Sequence, residues 1–162
     1  MKKKKLFLGL IILGIIFSIK LYNEKVLLIY NIKTNEIYVK EKVKTDDFIE
    51  YKWIHSFEHI PWNEKFQIQK NNSLILREIS VAGFGAGIPE NKGDVKVEKD
   101  GLVHMKNINQ PFENIQWINS KTALIYISLN GKILTKGYIL PHHELMKLEI
   151  RRRLFCDRKS IR

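Results

Sequence analysis

The chain has 162 residues, which is enough for one ordinary domain and too few for two well-packed ones. Hydrophobic residues make up 44% of it, and 9 Gly and 4 Pro are present, which excludes a disordered, collagen-like or low-complexity chain. A single Cys excludes an internal disulfide framework and a zinc site built on several thiolates.

The formal net charge of +11 is concentrated at the two ends of the sequence. Lys2 to Lys5 contribute four positive charges, and residues 151–162 hold six basic residues and one Asp, which leaves only +2 between them. A nucleic-acid-binding domain normally carries a basic stripe across its fold, so we expect no nucleic-acid partner. Short terminal basic segments are attracted to anionic lipid headgroups, which predicts the cytoplasmic membrane as a partner.

Fourteen uncharged residues, from Leu6 to Ile19, follow the lysine cluster. As a helix they would span roughly 21 Å, which is short of the roughly 30 Å hydrocarbon core, and Leu21 and Tyr22 would extend them. A cleaved signal peptide and an uncleaved anchor are the two interpretations. Because no Ala-x-Ala pattern follows, we favour one N-terminal transmembrane helix.

This interpretation divides the chain into three parts. Residues 1–22 form the membrane anchor, and the lysine cluster places the N-terminus in the cytoplasm. Residues 23–154 then form an extracytoplasmic β-domain, and residues 155–162 form a basic C-terminal tail. The protein is thus expected to be a single-pass protein of the cytoplasmic membrane.

After the anchor, short apolar runs alternate with turn signals, which is typical of strands. Asn130-Gly131 supplies the positive φ angles of a type I′ hairpin turn. The segment 145–153 is ambiguous, because its residue types favour a helix whereas its alternation favours a strand, and we choose the strand. Ten segments carry strand patterns, at 26–32, 36–40, 48–55, 64–69, 73–81, 95–98, 102–105, 122–129, 132–140 and 145–153, and we do not expect every one of them to form a separate strand. The sequence predicts an all-β, antiparallel sandwich or partly open barrel of about eight or nine strands.

The densest cluster of chemical groups is His55-Ser-Phe-Glu-His-Ile-Pro-Trp-Asn-Glu64, where one predicted strand ends and the next begins. Four interpretations are open. A metal site would use two imidazoles and a carboxylate, and nucleophilic catalysis would use Ser56 with a neighbouring base. The third interpretation is a recognition site for an anion or a partner. The fourth is a structural turn whose polar side chains form hydrogen bonds with its own backbone.

A second motif, Ala82-Gly-Phe-Gly-Ala-Gly-Ile-Pro89, follows the strand that ends near Val81. It lacks the Gly-Lys-Ser/Thr of a phosphate-binding P-loop and the Gly-x-Gly-x-x-Gly of a dinucleotide fingerprint. A backbone nest for an anion and a tight loop packed against another strand are the alternatives, and we favour the packed loop. Trp53, Trp62 and Trp117 are predicted to be core or membrane-interface residues.

Together, the two motifs resemble a known family. The pattern His55-Ser56-x-Glu58-x-x-Pro61-x-x-Glu64, followed by Phe84-Gly85-Ala86-Gly87-Ile88-Pro89, is similar to the family called domain of unknown function 1850. Its members are small bacterial proteins, often encoded beside permeases of the TAXI type of tripartite (TRAP) solute transporters. The resemblance covers roughly residues 26–153. Because the family has no established reaction, the resemblance implies a cellular location and an association with a transporter, but no mechanism.

The leading hypothesis is a membrane-anchored, extracytoplasmic β-domain that serves as an accessory or binding module for a TRAP-type transporter. Its expected partners are a TRAP permease or solute-binding component, and no cofactor, metal or catalytic residue is predicted. The alternative is a small hydrolase or metal-dependent enzyme that uses the His55–Glu64 corner, and a third hypothesis is an envelope protein whose Arg-rich tail binds lipid. The predicted binding surface joins both motifs and comprises His55, Ser56, Glu58, Glu64, Gly85, Gly87 and Pro89.

Overall fold

The computed structural model describes residues 9–14, 24–83, 85, 87–89 and 92–152. Residues 9–14 are helical, and twelve strands account for the other regular structure of the described part. The strands are β1 (Lys25–Asn31), β2 (Ile37–Val43), β3 (Phe48–Ile54), β4 (Pro61–Ile68), β5 (Leu74–Val81), β6 (Asp94–Val97), β7 (Val103–Lys106), β8 (Gln110–Phe112), β9 (Ile115–Ile118), β10 (Leu124–Leu129), β11 (Lys132–Thr135) and β12 (Leu145–Arg152).

The strands form two antiparallel sheets. The four-stranded sheet has the order β2-β1-β12-β9, and the eight-stranded sheet has the order β11-β10-β3-β4-β5-β7-β6, with β8 also paired to β5. The all-β, antiparallel prediction is confirmed, and the sheets do not close into a barrel. The predicted number of eight or nine strands was too low. β8 and β9 match none of the ten segments with strand patterns, because they are short and lie in a segment that contains several Asn and one Pro.

One hydrophobic core lies between the two sheets. Alternate residues of β1, Leu27 and Ile29, are fully buried in it, as are Met146 and Leu148 on the paired strand β12. The eight-stranded sheet contributes residues such as Phe66, which is 2% exposed. Burial of these apolar side chains from both sheets is the main driving force that holds them face to face.

Two local predictions are confirmed by the backbone. Asn130 and Gly131 have φ angles of 47° and 84°, as a type I′ turn between β10 and β11 requires. The ambiguous C-terminal segment is the strand β12, in which Met146, Leu148 and Ile150 are buried. The strand after the Asn-Gly turn was predicted to be too long, since β11 ends at Thr135 and residues 137–139 form a turn.

The described part of the chain includes no helix that is both long enough and apolar enough to cross a membrane. Residues 1–8 and 15–23, which make up most of the predicted anchor and its junction, lie outside the described residues. The predicted basic tail at 155–162 also lies outside them.

The two ends of the β-domain differ in what they carry. At one end, Lys25 of β1 pairs with Arg152 of β12, and the Lys25 ammonium donates to the carbonyl oxygen of Gln69 at 2.6 Å. At the other end of the same sheet, Leu145 pairs with Ile118. The segments that precede β1 and follow β12 therefore both join the domain at the Lys25 end.

Candidate functional site

The corner between β3 and β4 is a compact turn at the end of the domain opposite Lys25. The backbone N–H of His55 donates to the Ile60 carbonyl at 2.9 Å, and the N–H of His59 donates to the His55 carbonyl at 2.9 Å. His59 has a φ of 54°, and Pro61 begins β4. The predicted corner is thus a closed backbone turn that fixes the base of the His55 side chain.

The His55 imidazole is held on several sides. Its Nδ1 accepts a hydrogen bond from the backbone N–H of Glu58 at 3.2 Å, which places the proton of the neutral ring on Nε2. The ring stacks on Trp62, with centroids 5.6 Å apart and planes inclined by 20°, and lies 5.7 Å from the Trp53 ring. This local hydrogen bond and the two indole contacts fix the orientation of the ring.

The glycine-rich motif lies directly against this corner. A Cβ atom on Gly85 would overlap the Glu58 carboxyl group, and one on Gly87 would lie 3.4 Å from His55 Nε2. Gly87 has a φ of 85°, a backbone conformation that residues with a side chain rarely adopt. The two motifs, which are distant in sequence, are therefore neighbours in the fold, as expected from the sequence.

The residues after Gly87 fasten the loop to the domain. The N–H of Ile88 donates to the Gly85 carbonyl at 3.2 Å, and the Ile88 side chain is 9% exposed and belongs to the main core. Pro89 is half-buried beside it. The described residues of this motif therefore pack against the β3–β4 turn and the core.

A cavity of about 390 Å³ opens between the two sheets near the corner. Its wall includes Ser56 and Glu64, whereas the other five predicted binding residues do not line it. The structure therefore divides the predicted surface into two parts that adjoin through Trp53, whose ring contacts His55 and also lines the cavity. Ser56 is exposed, while Glu64 is half-buried.

Glu64 lies on the face of β4 that points toward the opposite sheet. Its neighbours on that face, Trp62 and Phe66, are 5% and 2% exposed, and its partner across the strand pair is Tyr51 of β3. The indole N–H of Trp62 donates to Glu64 Oε1 at 3.2 Å. A carboxylate thus lies among aromatic side chains at the edge of the core.

Burial is the main influence on the pKa values of Glu64 and its strand partner Tyr51. It raises the pKa of Glu64, and the hydrogen bond from Trp62 and the charge of Lys92 oppose it without reversing it. Burial also raises the pKa of Tyr51, and the charge of Glu64 adds to the effect, so that the phenol stays neutral. Glu64 is the predicted site residue whose ionisation the fold perturbs most clearly.

Three aromatic residues of the cavity wall were not predicted to be site residues. Tyr51 and Trp117 meet edge to face, with ring centroids 5.4 Å apart, across the gap between the sheets. Trp53 packs against Trp62 with ring centroids 5.3 Å apart, and its Nε1 atom is buried with no hydrogen-bond partner among the residues that the structure describes. Strand alternation places Tyr51 and Trp53 on the same face of β3 as His55. This signal could have identified both of them as site residues, but not Trp117.

The described residues offer little support for the catalytic and metal interpretations of the corner. No hydrogen bond joins Ser56 to His55 or Glu64 within the part of the chain that the structure describes. Groups of three or more His, Cys, Asp or Glu side chains with a metal-binding arrangement are likewise not found among these residues. The arrangement that is present is an aromatic cavity with one carboxylate, next to a fixed imidazole.

The comparisons with known proteins give one match. A family model described as "Domain of unknown function (DUF1850)" matches residues 49–135, which is more than half of the chain and includes both motifs. No curated protein and no solved structure matches. The chain therefore belongs to the DUF1850 family.

Proposed function

We propose that the chain is a membrane-anchored, extracytoplasmic binding module that serves a TRAP-type solute transporter. In this proposal the inter-sheet cavity holds a small ligand, and the surface around its mouth contacts a transporter component. The observation that carries it is the position of the cavity and both motifs at one end of the domain, away from the attachment of the terminal segments.

The layout of the strands supports this orientation. The Lys25 end carries the junctions to the apolar segment and to the basic tail, and three lysines, Lys25, Lys42 and Lys44, outnumber two acidic residues, Glu24 and Asp47, in the wall of a cavity there. β3 runs from that end to the corner, and its seven residues span about 20 Å. A domain anchored through its termini would present the cavity mouth outward, and its lysines would face the anionic membrane surface.

The geometry of the corner favours binding over the alternative of a small hydrolase. His55 Nδ1 already accepts a hydrogen bond from the Glu58 N–H, so a base at that atom would first have to break it. Its Nε2 faces the Gly87 loop. In this proposal the imidazole has a structural role, because it packs against the Trp53 and Trp62 rings and holds them beside the cavity.

The rim of the cavity suits a protein partner. Ile118 lines the cavity and is 68% exposed, and its strand partner Leu145 is 42% exposed. Phe57, in the corner turn, is 74% exposed. Large exposed apolar side chains gathered at one end of a domain are typical of an interaction surface.

Co-purification from membranes tests this proposal. We expect the tagged full chain, extracted in mild detergent, to bring with it a TRAP permease or solute-binding component identified by mass spectrometry. Ile118→Asp should abolish this association, because it places a charge in the apolar rim. Ile133→Asp is the matched control, since Ile133 is 48% exposed on β11 and does not line the cavity.

The uptake phenotype provides the second arm of the test. A strain that lacks the chain should show reduced uptake by the associated transporter, and the wild-type chain should restore it. Recovery of no TRAP component, normal uptake in the deletion strain, or equal association of the two variants would overturn the proposal.

A further inference from the structure

The wall of the inter-sheet cavity has an unusual charge balance. Of the described residues that line it, Glu64 is the one acidic residue, and none is Lys, Arg or His. Since none of the described lining residues is basic, an anionic ligand would meet a carboxylate at the wall, and the charge of Lys92 acts on that carboxylate from outside the wall. The charge of the wall is therefore complementary to a cation.

Aromatic rings surround the same space. Tyr51 and Trp53 approach it from β3, and Trp117 approaches it from β9 of the other sheet. Tyr51 is the strand partner of Glu64, and Trp53 is diagonal to it, so these side chains are neighbours. Aromatic faces attract cations through their quadrupoles, and the attraction strengthens where water is excluded.

We propose that this cavity binds a small alkylated ammonium ion. The cationic group lies beside the Glu64 carboxylate, among the rings of Tyr51, Trp53 and Trp117. An alkylated ammonium suits the wall because its alkyl groups can pack against the faces of these rings while its charge is attracted to them. The volume of about 390 Å³ lies in the range of small-molecule sites. This inference rests on the proposed role as a binding module.

Choline is the probe for the test, and neohexanol is its matched control. Neohexanol has nearly the same shape, with a neutral tert-butyl group in place of the trimethylammonium group. All three tryptophans of the chain lie at or beside the cavity, so intrinsic fluorescence of the detergent-solubilised full chain reports binding directly. Calorimetry provides an independent measure of the dissociation constant.

We expect choline to bind at least about tenfold more tightly than neohexanol, which corresponds to a difference of about 1.4 kcal/mol. Glu64→Gln, which preserves shape and an acceptor for Trp62, should remove this preference. Glu50→Gln is the control, because Glu50 lies on the opposite face of β3 and does not line the cavity. Thermal unfolding monitored by circular dichroism verifies that each variant is folded.

Several results would overturn the ammonium proposal. They are no saturable choline binding, equal or tighter binding of neohexanol, and unchanged choline affinity in Glu64→Gln. The titration uses the purified chain without a transporter, so its failure leaves the co-purification result intact. Conversely, choline binding by a chain that recovers no TRAP component would overturn the transporter role alone.

Discussion

The imidazole of His55 lies against the backbone of Gly87, at a point where an added Cβ atom would be 3.4 Å from Nε2. On its other ring nitrogen the imidazole accepts the N–H of Glu58. One side chain therefore links the β3–β4 turn to the glycine-rich loop and supports the Trp53 and Trp62 rings. This contact joins the two motifs that characterise the sequence.

Gly87→Val tests this contact, and Gly101→Val is its matched control. Both glycines have positive φ, 85° and 79°, so valine is strained at each by about 1–2 kcal/mol. A Cβ at Gly101 would have open space around it, whereas a branched side chain at Gly87 would press on His55. We expect Gly87→Val to be less stable by a further ~1 kcal/mol in urea unfolding and to alter the tryptophan emission. Equal destabilisation with unchanged emission in both variants would contradict the contact.

Glu64 is expected to reduce the stability of the ligand-free domain. Burial raises its pKa in the folded state above the unfolded value, so the folded state disfavours the ionised carboxylate. The penalty is absent below the unfolded pKa of about 4.3 and develops as the pH rises above it. Glu64→Gln should therefore unfold at a higher temperature at pH 7, with a gain of about 1 kcal/mol that disappears in acid.

The control for this prediction is Glu50→Gln, on the other face of β3, which should change stability little. Thermal unfolding of all three proteins at neutral and acidic pH provides the comparison. A Glu64→Gln variant that is less stable than the wild type at pH 7 would show that the carboxylate stabilises the fold.

His104 forms a second ionisable cluster, on the eight-stranded sheet and away from the cavity. Its Nδ1 lies 3.0 Å from a Glu78 oxygen, and its Nε2 lies 2.9 Å from an Asp100 oxygen. Glu98, at 3.9 Å, is also near, and its other oxygen is paired with Lys106. Burial acts to lower the pKa of His104, but the hydrogen bonds and charges of these carboxylates together raise it above its usual value.

The raised pKa gives a pH dependence with a definite sign. Because the folded-state pKa of His104 exceeds the unfolded value of about 6.5, its stabilising contribution is complete below that pH. The contribution is lost as the pH rises through the folded-state pKa. Urea unfolding should show a loss of wild-type stability between mildly acidic and mildly basic pH that is smaller in His104→Gln. The same loss in both proteins would contradict this role.

Asn119 organises the loop that follows β9. It is fully buried, and its amide nitrogen donates to the carbonyl oxygens of Gly137 at 3.0 Å and Pro141 at 2.9 Å. Its amide oxygen accepts the indole N–H of Trp117 at 3.4 Å. Removal of the amide leaves these groups unpaired, so we expect Asn119→Ala to destabilise the domain by about 2–3 kcal/mol.

An exposed asparagine provides the control for this prediction. Asn109→Ala should change the free energy of unfolding by less than about 0.5 kcal/mol, because the side chain is exposed. Chemical denaturation measures both variants. A change in Asn119→Ala as small as that in Asn109→Ala would contradict the structural role of the buried amide.

Local patterns in the sequence predicted much of the β-domain. Aromatic and β-branched residues identified β3, alternating apolar residues identified β12, and Asn130-Gly131 identified a hairpin, because these signals depend on neighbours in the chain. β8 and β9 were missed, since each is three or four residues long and one contains Pro111. Pairing to β5 and β12 stabilises them, and that pairing is not local.

In the candidate site, too, some features were predicted from the sequence and others, which depend on distant contacts, were not. The adjacency of the two motifs was expected, and the contacts of Gly85 with Glu58 and of Gly87 with His55 agree with it. The cavity was not foreseen, because it needs Trp117 of the unpredicted β9 opposite Tyr51 of β3. Glu64 was assigned to the predicted binding surface, although its alternation with Phe66 would have indicated the inward face of β4.

Native mass spectrometry of the full chain, purified from the membranes of producing cells, tests most directly whether the cavity is a binding site. Ala123 lines the cavity, and Ala123→Phe should fill part of it without altering the corner. We predict a bound small molecule on the wild type and on Glu50→Gln, and its loss from folded Ala123→Phe. A wild-type chain without a bound molecule, or equal occupancy in Ala123→Phe, would contradict the account.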